Sequence, residues 1–143
     1  MKNRRNHITY LLMTLVLSAL SCEKPEEVGP RIDPQLAGKW ELEAITYGLT
    51  QVRIQGDSLP YSEMVHFGIK NNYAISRDGK QIEAARAYTE KNMSHADFQQ
   101  AIIYEKDKSY QPYKVRAGRL FLYQRSPRGT VLSDGNTYEY RRL

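Results

Sequence analysis

From residue 36 onward, apolar and polar side chains alternate in short runs. In Leu36–Ile45 (LAGKWELEAI), Trp40, Leu42 and Ala44 alternate with Glu41 and Glu43. A two-residue period puts one set toward a core and the acids toward water, as in a half-buried strand. The pattern recurs. Val65, Phe67 and Ile69 alternate with His66 and Gly68, and Tyr73 and Ile75 follow the turn-like Asn71-Asn72. Tyr113 and Val115 alternate with Lys114 and Arg116. Gly118 breaks the chain before Leu120 and Leu122, and Tyr138 and Tyr140 alternate with Glu139 and Arg141. Asp78-Gly79 is a hairpin signal because both positions tolerate positive φ, and Asp134-Gly135 reads as another turn. Short strands with turns every ten or so residues predict an antiparallel sandwich or barrel. The expected inward set is Trp40, Leu42, Ala44, Val65, Phe67, Ile69, Tyr73, Ile75, Val115, Leu120, Leu122, Tyr138 and Tyr140.

Two stretches fit this period less well. Lys80–Lys91 contains Glu83-Ala84-Ala85-Arg86-Ala87, a good helix composition. Its position after a hairpin turn favours a strand. Ser94-His95-Ala96-Asp97 could open a helix of at most two turns, capped by Ser94 and ending before a strand over Ala101–Glu105.

The N-terminus has a different pattern. Lys2, Arg4 and Arg5 precede a mainly apolar stretch, Ile8 to Leu20, then small residues and the only cysteine, Cys22. The stretch is shorter than the ~20 residues a membrane-spanning helix needs. Its order of charge, apolar run and small residues is that of a secretory signal peptide, helical over 1–21. Ala19-Leu20-Ser21-Cys22 resembles the lipobox of bacterial lipoproteins. That resemblance implies lipidation of Cys22, cleavage before it, and anchoring to the bacterial outer membrane. It also accounts for a lone thiol in an exported protein, which would otherwise be a liability. Glu23-Lys24-Pro25-Glu26-Glu27 resembles the lysine-plus-acid tag of some surface lipoproteins, so the domain could face either the surface or the periplasm. Residues 22–34, rich in proline and charge, read as a flexible tether, leaving 35–143 as one domain.

Removing 1–21 lowers the formal charge from +5 to +2. Nucleic acid is therefore a poor partner for the exported part.

Gly38-Lys39-Trp40, preceded by Leu36, resembles the Gly-x-Trp motif of lipocalins, and more closely the lipocalin-like domains of bacterial lipoproteins. Tyr138-Glu139-Tyr140-Arg141-Arg142 matches the tyrosine- and arginine-rich last strand of those domains. The resemblance covers Leu36 to Leu143. It implies an all-β, up-and-down antiparallel barrel of about eight strands, with Gly38 and Trp40 as structural residues at a closed end. It also implies a small hydrophobic or amphipathic ligand. At 35–143 the domain is short for a ligand-carrying lipocalin, so any cavity should be small. An eight-stranded barrel can be filled by its own side chains or hold one small ligand.

If a ligand is held, Tyr73, Tyr113 and Tyr138 are the candidates near the open end, since a tyrosine offers both a ring face and a hydroxyl. The alternative is a filled barrel that binds an envelope protein or polysaccharide. Its contact surface would be a basic outer stripe: Lys114, Arg116, Arg119, Arg125, Arg128, Arg141 and Arg142. A solvated outer face explains the same residues. No cofactor is expected. His7 falls in the signal, and His66 and His95 lack metal-ligand spacing. No motif places a nucleophile beside a base, so an enzyme is not expected. Asp57-Ser58-Leu59 resembles a bacterial O-glycosylation sequon at Ser58, and Asn92-Met93-Ser94 fits the N-glycosylation pattern by chance.

Overall fold

The computed structural model describes residues 29–92, 97–130 and 132–143. Ten β-segments follow in order: β1 Gly38–Thr46, β2 Arg53–Gln55, β3 Glu63–Phe67, β4 Asn72–Arg77, β5 Lys80–Lys91, β6 Gln100–Tyr104, β7 Ser109–Arg116, β8 Arg119–Tyr123, β9 Ser126–Pro127 and β10 Thr137–Arg142. One 3₁₀ turn, Gly56–Ser58, separates β2 from β3. Each main strand pairs antiparallel with the next, and β10 returns to pair with β1. The sheet is therefore a closed up-and-down barrel of eight staves: β1, β3, β4, β5, β6, β7, β8 and β10. Closure removes the free edges that an open sheet would expose. The short β2 and β9 lengthen the wall beside β1 and β7. Residues 1–28 and 93–96 lie outside the described residues, and with them the signal helix, Cys22, His7, His95 and the helix start at Ser94.

Local chemistry explains the staves. Asp78 and Gly79 both take positive φ, 50° and 77°, and close the β4–β5 hairpin. Ala117 and Gly118, at 51° and 73°, do the same between β7 and β8. The alanine-rich Lys80–Lys91 is a twelve-residue strand. It is zipped to β4 on one side and β6 on the other, and that pairing overrides its helix propensity. Asp134-Gly135 bends the chain but joins no adjacent pair of strands. Gly135 is needed there for close approach, because a Cβ would lie 2.7 Å from the Tyr123 ring.

The interior cluster contains Leu36, Trp40, Leu42, Ile45, Val65, Phe67, Tyr73, Ile102, Tyr104, Tyr113, Leu120, Leu122 and Tyr140, with Ile75, Val115 and Tyr138 half-buried against it. Two of the expected inward residues are corrected. The β1–β10 register shifts between Leu42 and Ala44, so Ile45 comes opposite the inward Tyr138 and Ala44 opposite the outward Glu139. A bulge at Glu43 thus turns Ala44 away from the cluster and Ile45 into it. Ile69 lies beyond the end of β3, in the β3–β4 turn, and is 82% exposed. β6 is buried on both faces. Its outer residues Ala101 and Ile103 pack with Tyr110 and Tyr88. The chain after β9 lies over that side, where the Tyr110 hydroxyl donates to Thr130 O at 2.6 Å.

The closed end is built around Trp40. The indole is fully buried and its Nε1 donates to Leu36 O at 2.7 Å. The Arg142 guanidinium lies 4.2 Å over the ring and donates to Ala37 O and Gln35 O. Gly38 has φ 130°, and a Cβ there would stand 3.0 Å from Arg142 Nη1. The segment before β1 runs across this end as a floor. Ile32 is buried, Asn71 bonds both Ile32 N and Pro30 O, and Thr89 bonds Arg31 O. Residues 30–34, expected in the flexible tether, are instead docked to the barrel. Their backbone groups find partners on Asn71 in the β3–β4 turn and on Thr89 of β5, and Ile32 joins the core.

Candidate functional site

The other end of the barrel holds a cavity of about 350 Å³. Its walls include Tyr61, Val65, Ile75, Ile82, Leu122, Gln124, Tyr138 and Tyr140, and four charged residues: Glu63, Arg77, Glu83 and Arg125. These charges follow from strand parity. Glu63 shares the face of Val65 and Phe67 on β3, and Arg77 shares that of Tyr73 and Ile75 on β4. Glu83 sits opposite Ile75 in the β4–β5 ladder, so it too faces in.

The charges form two nets. In the first, Arg77 Nε and Nη2 donate to Glu63 Oε2 at 3.1 and 2.7 Å, and the Tyr140 hydroxyl donates to Oε1 at 2.7 Å. The Arg77 guanidinium also stacks 3.9 Å from the Tyr61 ring centre. In the second, Arg125 bonds both oxygens of Glu83 at 2.9 and 3.2 Å, Asp107 at 2.8 Å and the Ser109 hydroxyl at 2.5 Å. It lies 3.7 Å over Tyr104. The Tyr73 hydroxyl donates to Glu83 Oε1 at 2.5 Å, and Tyr104 donates to Gln111 Oε1 at 2.5 Å.

Electrostatics keep the second net charged near neutral pH. Burial raises the Glu83 pKa, but hydrogen bonds from Arg125 and Tyr73 outweigh it and the net shift is downward. Hydrogen bonding to Ser109, with Arg125 beside it, lowers Asp107 to about 2. Burial, then the adjacent Glu83, pushes the Tyr73 phenol up, so it stays a donor. A carboxylate buried with two or more donors keeps its charge without the full desolvation penalty.

The three tyrosine candidates separate. Tyr138 lines the mouth. Tyr73 is buried beneath it and holds Glu83. Tyr113 is corrected: it belongs to the closed end, where its hydroxyl donates to Asp33 Oδ2 of the floor at 2.8 Å. Its Cα partner on β6 is Gln100, at the floor end of that strand, which sets its height in the barrel. The sequence pattern does not single out Glu63, Arg77 or Glu83, and it places Arg125 on the outer stripe rather than at the mouth. Parity marks the first three, but a charge in phase with core residues is normally read as the frayed end of a strand.

The expected basic stripe is also corrected. Arg119 pairs with Glu139 and Glu43, Arg141 with Glu41, and Arg128 with Glu90. Glu43 Oε2 is buried 2.8 Å from Arg119 Nη1, an ion contact rather than an aligned hydrogen bond. Arg125 belongs to the mouth and Arg142 covers Trp40. Lys114 sits 5.0 Å over Phe98, and Arg116 is exposed in the β7–β8 turn region. The outer wall is thus a mixed ladder of paired charges.

Ser58 is exposed in the 3₁₀ turn, and His66 is half-buried on the outward side of β3. Among the described residues no three His, Cys, Asp or Glu side chains cluster as metal ligands, and no helix is long and apolar enough to cross a membrane. No family model, curated protein or solved structure matches this chain, so the cavity's own geometry carries the functional argument.

Proposed function

We propose that this protein is a lipid-anchored, lipocalin-like barrel that holds one small amphipathic molecule at its mouth. The observation that carries the reading is the cavity of about 350 Å³, bounded below by Tyr104 and Tyr140 and walled by aliphatic and tyrosine side chains together with four charged ones. Its size is at the low end for small-molecule sites, which typically run from about 300 to 1,000 Å³. Two ion-pair nets argue against a purely hydrophobic cargo, because an oily molecule would strip water from them without replacing it.

The anchor would be Cys22, in the outer membrane. Its thiol would carry the diacylglyceryl group, and two or more chains make a durable anchor. The chain reaches the barrel at the closed end, through Pro30 and Arg31. Gly29 lies seven steps along the chain from Cys22, a reach of at most about 25 Å. An anchored barrel would then stand floor-down, with its mouth toward the aqueous side.

The alternative, a filled barrel binding an envelope protein or polysaccharide through a basic outer face, has less support because most of those arginines are already paired.

The test is titration of the folded protein with an environment-sensitive amphipathic fluorophore. Saturable binding weakened by Tyr138→Leu, and unaffected by Arg116→Glu with Arg119→Glu, supports the reading. No binding to the wild type, with a co-purified partner lost on the arginine reversals, overturns it.

A further inference from the structure

The mouth's hydrogen-bond inventory is unbalanced. Its acceptors are nearly spent. Glu63 receives three hydrogen bonds and Glu83 receives three, of the roughly four that a carboxylate can take. Gln111 Oε1 takes the Tyr104 hydroxyl, and Gln124 Oε1 takes Asn136 N at 3.0 Å. The donors are not spent. Arg77 uses Nε and Nη2 on Glu63, which leaves Nη1 with two N–H groups. Gln124 Nε2 and the hydroxyls of Tyr61 and Tyr138 have no acceptor among the described residues. All four side chains line the same cavity.

We propose that the mouth takes a small organic carboxylate, with the carboxylate on Arg77 and Gln124 and an apolar body against Val65, Ile75, Leu122 and the tyrosine rings. This deepens the mouth-binding reading above and rests on it. The chemistry follows from what each ligand class would meet. A cation would face two guanidiniums and no free pair of carboxylate oxygens. A wholly apolar molecule would dehydrate Arg77 Nη1 and the Gln124 amide and give them no partner. A carboxylate supplies the missing acceptors to a planar donor fork already oriented by its stack on Tyr61 and its bonds to Glu63. Glu63 spends its own charge on Arg77, so the fork is fixed in place and neutral in sum before a ligand arrives. The apolar walls lie just below: Val65 and Leu122 are buried, and Ile75 is half-buried.

Three probes of the same shape test this: 4-phenylbutyrate, 4-phenylbutanamide and 4-phenylbutylamine. Each is titrated into the folded protein by calorimetry. The carboxylate should bind tightest, about tenfold or more above the amide, as for a hydrogen bond to a charged group, and the amine should be weakest. Arg77→Lys should bring the carboxylate and amide to within a few fold of each other. If that variant loses its thermal transition, Gln124→Leu and Tyr138→Phe replace it. Neither touches an ion pair; Tyr138→Phe removes one hydroxyl, Gln124→Leu removes the amide donor together with the acceptor of Asn136 N, and each should narrow the same ratio. Amide or amine binding as tightly as the carboxylate overturns the carboxylate assignment and leaves mouth binding standing. A carboxylate preference unchanged in every variant that keeps its thermal transition also overturns it, by moving the anion elsewhere. Failure of all three probes, with the amphipathic fluorophore still bound, likewise removes only the carboxylate assignment. Failure of the fluorophore as well removes mouth binding.

Discussion

Trp40 should carry a large share of the barrel's stability. The indole is fully buried, and three kinds of contact converge on it. Replacement by alanine removes the largest side chain in the core, where aromatic-to-alanine changes cost about 3–5 kcal/mol. Trp40→Phe separates the contributions. It keeps most of the volume but deletes the Nε1 donor, which leaves Leu36 O unpaired beneath the floor. A buried acceptor left unsatisfied costs about 1–3 kcal/mol. The Arg142 stack, 4.2 Å from the ring, also weakens on a smaller ring, by well under 1 kcal/mol because the guanidinium is partly exposed. We therefore expect about 2 kcal/mol for Trp40→Phe and about 4 kcal/mol for Trp40→Ala. At about 4 °C per kcal/mol for a domain of this size, the midpoints should fall by roughly 8 and 16 °C. The second loss is a large part of the about 5–15 kcal/mol a domain typically has. Urea denaturation followed by circular dichroism gives the free energies, and thermal melts give the midpoints. A double-mutant cycle with Arg142→Met should show coupling of about 0.5–1 kcal/mol. A cost below about 1 kcal/mol for Trp40→Ala would mean the indole is not packed in the floor, and the β1 register would fall with it.

Other consequences follow from the same geometry. Glu83 and Asp107 both have lowered pKa values, so their contribution is full above the ordinary carboxylate range near 4 and is lost as pH falls through it toward about 2. Wild-type urea midpoints should therefore drop on acidification from pH 6 to 3, and Arg125→Met should flatten that slope; equal slopes would refute the net. Gly48→Ala should destabilise the barrel, since a Cβ would fall 2.3 Å from Asp134 O and 2.4 Å from Gly135 O, and an unchanged melting midpoint would show that the loop yields freely. Asn71→Ala should release residues 30–34 from the floor, read as faster amide exchange at Ile32 and Thr89, with protection in β7 and β8 unchanged. Independently of the barrel's geometry, if Cys22 carries the proposed anchor, Cys22→Ser should move the protein from the membrane fraction to soluble or uncleaved forms; normal cleavage and detergent partitioning would end the lipid-anchor reading.

The barrel was legible in the sequence because period-two alternation is a direct imprint of two-sided strands. Asp78-Gly79 and Gly118 sit where positive φ is needed, and Leu36, Gly38 and Trp40 mark the closed end. The failures have physical causes. A bulge at Glu43 inserts one residue, and from there parity misassigns Ala44 and Ile45. Ile69 continues the β3 alternation, but the strand has already ended at Phe67. The docking of residues 30–34 depends on Asn71, forty residues away, a partner that no local pattern reveals. The mouth was hidden for a different reason. Glu63, Arg77 and Glu83 are in phase with the core but charged, and only their mutual placement across strands makes inward charge tolerable. Tyr113 lies at the closed end rather than the open one because alternation fixes which side a residue faces, not its height along the barrel. Height is set by the stagger between strands, which the pairing of Tyr113 with Gln100 fixes.

The most direct test of a ligand-holding mouth is native mass spectrometry of the protein purified from its own host. It would be compared with a Tyr138→Leu, Gln124→Leu double variant prepared in the same way. A ligand-holding mouth should give one small non-covalent adduct on the wild type, displaced by excess 4-phenylbutyrate and absent from the variant. A bare mass for both proteins, or the same adduct retained equally by both, would contradict it.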